Sequence, residues 1–305
     1  PRNWEWIKLP DVGSPLVNIP ENLLQEYPFK SHYINVSDKY RLHYVDEGDG
    51  DPILMVHGNP TWSFTFRNLI KEFQKNSRVV VPDHIGCGLS DKPQNYPYQL
   101  KDHIDNLEAL VNHLGLKNIT LIVHDWGGAI GFGLATRAPE NIKKVVILNT
   151  AAFRSSHIPF RINLCRFPFL GDKLIRHFNA FAWAASFMAV TKKLSPLIKE
   201  GYLLPYNNYE NRIATSRFVQ DIPMEKNHPS YGTIKTIEEN LKNVTCPKLI
   251  LWGGQDFCFN DHFFNRWKEI YPKAENYYFE TAGHYVMEDA KKEVISKTKS
   301  FLEKQ

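Results

Sequence analysis

Long apolar runs are missing from this chain. The longest, residues 180–190, is eleven residues with Ser186 inside it, well short of the roughly 20 needed to span a bilayer. No membrane-spanning helix is therefore expected. Cysteine is scarce too: Cys87, Cys165, Cys246 and Cys258 are the four in 305 residues. That density cannot frame a small disulfide scaffold, and no C-x-x-C pair points to a zinc site, so no metal is expected. The thiols are expected to be reduced, in the cytoplasm. Residues 1–12 have no basic stretch leading into an apolar one, so no secretory signal is expected there. Charge of one sign is also in short supply. The net value of +4 is too small to imply nucleic acid as a partner.

What remains is a globular composition, 43% hydrophobic and 23% charged, in a chain long enough to bury a large core without staples. Short β-type runs at 32–36, 40–46, 52–56 and 78–81 alternate with turns and with a helical pattern at 63–73. A helix at 98–114, a strand at 118–123, a helix at 126–137 and a strand at 144–148 follow. Apolar strands without polar alternation, separated by helices, predict a mostly parallel sheet covered on both faces. The rhythm breaks after Thr150. Residues 153–232 are rich in Phe, Trp, Pro and cations, with eleven Lys/Arg against five Asp/Glu, and read as a helical cap. Strands return at 248–252 and 276–279, with helices at 263–270 and 288–303. The expected organisation is a main domain in two parts, 1–152 and 233–305, interrupted by the cap.

The strongest chemical signal is Val123-His124-Asp125-Trp126-Gly127-Gly128, where a buried strand turns into a helix. It is a variant of the nucleophile elbow G-x-S-x-G, with Asp125 at the nucleophile position and Val123 in place of the first small residue. The helix N-terminus beside it favours an ionised carboxylate. A carboxylate can attack an sp³ carbon and form an ester that water later opens. A plain helix cap at Asp125 is the alternative. Two more strand ends carry candidates: Gly253-Gly254-Gln255-Asp256 and Gly283-His284-Tyr285. Ligands bind at the carboxyl ends of strands in open α/β sheets. The chain order Asp125, Asp256, His284 gives nucleophile, acid and base, in which His284 activates water and Asp256 orients it. After a third strand end comes His57-Gly58-Asn59-Pro60. There the backbone amides of Asn59 and Trp126 would form the oxyanion hole. The Asn59 amide and the Trp126 indole would supply side-chain donors for a departing halide. His57 reads as a structural loop residue.

These segments resemble the haloalkane dehalogenase family of α/β-hydrolases over nearly the whole chain: HGNPTWSF at 57–64, PDHIGCGLSDKP at 82–93, VHDWGGAIG at 123–131, WGGQD at 252–256 and GHYVMED at 283–289. The resemblance implies the α/β-hydrolase fold, a mostly parallel eight-stranded sheet flanked by helices and carrying a cap. It implies nucleophile Asp125, base His284, halide donors Asn59 and Trp126, and no cofactor. Some members place the acid after the sixth strand. Asn149 stands there and cannot serve, so the acid falls to Asp256. Trp183 is the cap tryptophan available as a second halide donor, but is not needed beside Asn59. The Asn–Trp pair with the acid at Asp256 also resembles the β-lactone decarboxylases of bacterial olefin synthesis, which share the aspartate machinery. Epoxide hydrolases are a further relative. They need two cap tyrosines, for which Tyr202, Tyr206, Tyr209 and Tyr231 are candidates.

The expected substrate is small and apolar, a haloalkane or a lipid-like lactone, with halide as a released ion. Most of the cap aromatics (Phe153, Phe160, Phe167, Phe169, Phe178, Phe181, Trp183, Phe187) are expected to pack as ordinary core. Residues 180–190 are expected to face the pocket. The run Phe167-Pro168-Phe169-Leu170, set among Arg161, Arg166, Lys173 and Arg176, raises contact with a membrane surface or self-association.

Overall fold

The computed structural model describes residues 17–37 and 39–304. The secretory-signal expectation for residues 1–12 and the Asp38 position of the first turn lie outside them. The eight strands are β1 (His32–Val36), β2 (Tyr40–Glu47), β3 (Pro52–Val56), β4 (Arg78–Pro82), β5 (Ile119–Asp125), β6 (Ile142–Thr150), β7 (Lys248–Gly253) and β8 (Glu275–Phe279). They form one sheet in the order β1-β2-β4-β3-β5-β6-β7-β8. β2 pairs antiparallel with β1 and β4, and every other pairing is parallel. β5 and β7 are buried along their whole length, whereas the edge strand β8 alternates. That is the pattern of a sheet covered on both faces at its centre.

Around the sheet lie α1 (Arg67–Phe73), α2 (Leu100–His113) and α3 (Trp126–Arg137). Between β6 and β7 come α4 (Phe160–Cys165), α5 (Pro168–Asp172), α6 (Ala180–Met188), α7 (Pro196–Leu203), α8 (Ile213–Gln220) and α9 (Tyr231–Asn240). The chain ends with α10 (Asp261–Ile270), α11 (Val286–Asp289) and α12 (Lys291–Glu303). One apolar core joins the sheet to α2, α3, α9 and α10; the other joins it to α1, α11 and α12. Each fully buried Leu, Ile or Val in these cores contributes about 1.5–3 kcal/mol. α3 lies deepest, because its glycines admit close neighbours: a Cβ at Gly133 would overlap Ile104 of α2.

No strand interrupts residues 153–247, and α4 to α8 occupy most of the expected cap range. α9 begins at Tyr231 and already packs on α3. The helical segment is fastened to the loop after β3. Trp62 Nε1 donates to the Gly201 carbonyl at 2.9 Å, and the Tyr206 hydroxyl donates to the Thr61 carbonyl at 2.9 Å. Among the described residues no helix is long and apolar enough to cross a membrane.

Candidate active site

Asp125 closes β5 with φ 53° and ψ −128°, a conformation that L-residues with side chains rarely adopt. Strain of this kind concentrates at functional sites. The turn is tight because its neighbours lack side chains. A Cβ at Gly127 would overlap the Val56 carbonyl, and one at Gly128 would overlap Thr150. Gly58 is under the same constraint, since a Cβ there would overlap the Asp125 carboxylate itself. Its absence lets the Asn59 amide donate to Asp125 Oδ1 at 2.6 Å, and the Trp126 amide also bonds this carboxylate. Both expected oxyanion donors therefore converge on Asp125.

His284 follows β8, and its Nε2 lies 3.5 Å from Asp125 Oδ2. Its Nδ1–H donates to Asp256 Oδ2 at 2.7 Å. Asp256, after β7, is held in turn by the amides of Cys258 and Phe259 on Oδ1, at 2.7 and 3.0 Å. The Phe259 ring stacks on the imidazole at 5.7 Å. Three strand ends thus bring together the three residues that sequence order singled out.

Electrostatics modify one expectation. Burial pushes the Asp125 carboxyl above its ordinary value, against the opposing pull of His284 and the two amides. The helix N-terminus alone does not set its charge. For His284, burial acts downward, but the charge and hydrogen bond of Asp256, with Asp125 behind it, leave the imidazole above its usual value. Burial thus disfavours charge on Asp125, while the two carboxylates favour it on His284.

Two contributors escaped sequence reasoning. Asn149 was set aside as unable to act as the acid, yet its Nδ2 donates to Asp256 Oδ2 and to the Gly253 carbonyl, each at 3.0 Å. Its Oδ1 accepts from the Gly253 amide at 2.8 Å. His124, buried beside Asp125, donates from Nε2 to the His284 carbonyl at 2.9 Å. Position next to Asp125 was its only signal. His57 is structural, as expected: its Nε2 accepts from the His84 amide at 3.1 Å, so Nδ1–H donates to the Gly58 carbonyl.

Asp125, His284, Asn59 and Trp126 line a cavity of about 180 Å³ whose walls are mostly apolar, with Phe181, Ala185 and Val219 from the helical segment among them. α6 does face the cavity, as expected for residues 180–190. The Trp126 indole N–H makes no hydrogen bond to a described residue and stays available to a ligand. Asn59 is less free than expected, because its Nδ2 donates to the Thr215 carbonyl of α8 at 3.1 Å. Trp183 does not line the cavity. Nor do the four candidate tyrosines. Tyr202 donates to Glu288, Tyr206 to Thr61, and Tyr209 to Asp172, while Tyr231 accepts from Arg154. Among the described residues, the cavity wall carries none of these four cap tyrosines; the tyrosine on it is Tyr285, beside His284.

The arrangement is that of an α/β-hydrolase with a carboxylate at the strand–helix elbow. A family model described as alpha/beta hydrolase fold matches residues 51–291, and the chain belongs to that family. It is 48% identical to a cis-3-alkyl-4-alkyloxetan-2-one decarboxylase of Shewanella oneidensis, over 90% of this chain and 89% of the relative. It is 30% identical to haloalkane dehalogenase 2 of Mycobacterium tuberculosis, over 87% and 92%. The solved haloalkane dehalogenase DatA of Agrobacterium tumefaciens superposes with a TM-score of 0.82 at 23% identity, covering 90% of this chain and 96% of that one. That last likeness concerns the fold alone.

Proposed function

We propose that this protein decarboxylates cis-3,4-dialkyl β-lactones to alkenes, with Asp125 as nucleophile. The observation that carries the reading is a buried elbow carboxylate facing an apolar cavity, in a chain 48% identical to a decarboxylase of such lactones. Oδ1 is engaged by the Asn59 amide, so Oδ2 attacks C4 of the ring. The C4–O bond breaks and leaves a carboxylate on C3, with C4 now esterified to Asp125. The C3 carboxylate then departs as carbon dioxide. Its bonding pair becomes the C3=C4 double bond as the C4–Oδ2 bond breaks, returning Asp125 ionised. Inversion at C4 sets the ester antiperiplanar to the carboxylate, so a cis lactone gives a cis alkene. Neither step consumes water. Imidazolium at His284 and the Trp126 indole N–H offer donors to the carboxylate released by ring opening.

Dehalogenation at the same centre is the second reading, favoured by the uncommitted Trp126 N–H and by the dehalogenase relative. There halide leaves carbon, and His284 must be neutral to activate water against the ester carbonyl. Oxygen-18 water separates the two. Lactone turnover should release carbon dioxide and alkene while the Asp125 peptide keeps its mass. Ester hydrolysis would load heavy oxygen into that side chain. In His284→Ala, alkene formation should persist at reduced rate. A β-hydroxy acid product with a labelled Asp125 would overturn the decarboxylase reading. The four free thiols support residence in the reducing cytoplasm.

A further inference from the structure

Six aromatic side chains of the helical segment stand out in solvent: Phe160, Phe167, Phe169, Phe178, Trp183 and Phe187. The expectation that most cap aromatics form core is therefore wrong; of the eight, Phe153 is buried and Phe181 partly so. Phe169, Phe160 and Phe178 are 87%, 79% and 74% exposed, far beyond the grazing exposure of an ordinary surface aromatic. Their carriers are consecutive: α4, α5, the π-turn Lys173–His177 and α6 pack one against the next. The Trp183 and Phe187 rings meet at 4.8 Å, and Arg161 Nη1 lies 3.7 Å from the Met188 sulfur, so α4 adjoins the end of α6.

Cations predominate on this face, although Arg154 and Arg166 pair with Glu238 and Glu225 of neighbouring elements. Residues 153–199 hold eight Lys/Arg and a single acid, Asp172. Asp172 is itself occupied by Ser216 at 2.9 Å and by Arg176. Lys199 hangs 5.4 Å from the Trp183 ring centroid, and Lys173, Lys192 and Lys193 are exposed. The same helices wall the cavity, α4 through Ile162 and α6 through Phe181 and Ala185.

We propose that this face docks on an anionic lipid bilayer, with the rings entering the acyl boundary and the cations resting among phosphate headgroups. Exposed aromatics beside cations that have no acidic partner among the described residues, such as Arg161, Lys173 and Lys193, match an interfacial membrane surface. Docking brings the cavity wall against the phase in which dialkyl lactones dissolve. Only that last clause rests on the function proposed above.

The test is co-sedimentation of the full chain with vesicles of phosphatidylcholine, with and without phosphatidylglycerol. Binding should require the anionic lipid and weaken roughly tenfold at about 0.5 M salt. A Phe160→Ser/Phe169→Ser/Phe178→Ser variant should lose roughly tenfold or more of the affinity. Lys173→Glu/Lys193→Glu should lose binding without touching a ring. Both should keep wild-type turnover of a short, water-soluble β-lactone in the absence of vesicles. Failure to sediment with anionic vesicles, or equal sedimentation of wild type and variants, overturns the proposal. So does a dimer that the ring substitutions abolish while vesicles bind nothing, which would assign the face to a second copy. Vesicle binding is read without substrate, so a protein that turns over no lactone would fail the functional reading alone.

Discussion

At the scale of single residues, the elbow carboxylate was legible and its support was not. Asp125 announces itself because a short local motif, Asp-Trp-Gly-Gly after a buried strand, dictates a turn that only small neighbours permit. Asn149 stands 107 positions from Asp256 in the chain, and no local pattern tells that an amide reaches a carboxylate so far away. Its hydrogen bonds to Asp256 and Gly253 make it a positioning residue. Asn149→Ala removes buried partners and should cost about 2–4 kcal/mol of stability. It should also shift the imidazole titration of His284 in NMR, because Asp256 Oδ2 loses a competing donor. An unchanged titration with lowered stability would make Asn149 merely structural.

At the scale of elements, strand and helix positions followed from periodicity closely enough to order the strand ends. β3 and α3 fall where the pattern put them, while the predicted helix at 98–114 opens only at Leu100, after Tyr98 with φ 57°. The helical segment misled because a phenylalanine has the same composition signature whether it faces core or water. The loop after β3 is the element most exposed to a single change. Gly58→Ala would push the Asn59 amide away from Asp125 Oδ1. Turnover should fall by about 10²–10³, measured as carbon dioxide release, with the fold retained by circular dichroism. Retained activity would remove the Asn59 amide from the mechanism.

At the scale of the whole molecule, acidity reports on packing between the helical segment and the main body. Burial pushes the Asp221 carboxyl up to about 7, even though Ser230 and the Leu100 amide donate to it. Unfolded, such a group titrates at about 3.9, so the native state holds the proton more tightly in between. Its stabilising contribution is complete below about pH 4 and is lost as pH rises through about 7. Asp221→Asn should flatten that slope and raise unfolding free energy by about 1–2 kcal/mol at about pH 8, read from urea titrations. Equal pH dependence in both proteins would exclude this origin. A second link has a mechanical reading. The Arg67 guanidinium of α1 grips Glu288 of α11 at 2.5 Å, and Glu288 accepts from Tyr202 of α7 at 2.7 Å. Glu288 lies four residues beyond His284, so this rivet pins the turn bearing the imidazole to both storeys of the molecule. The end of α6 is tied to the same corner, where the Tyr285 amide donates to the Ala189 carbonyl at 2.7 Å, so opening the cavity at α6 would tug on the turn that carries the imidazole.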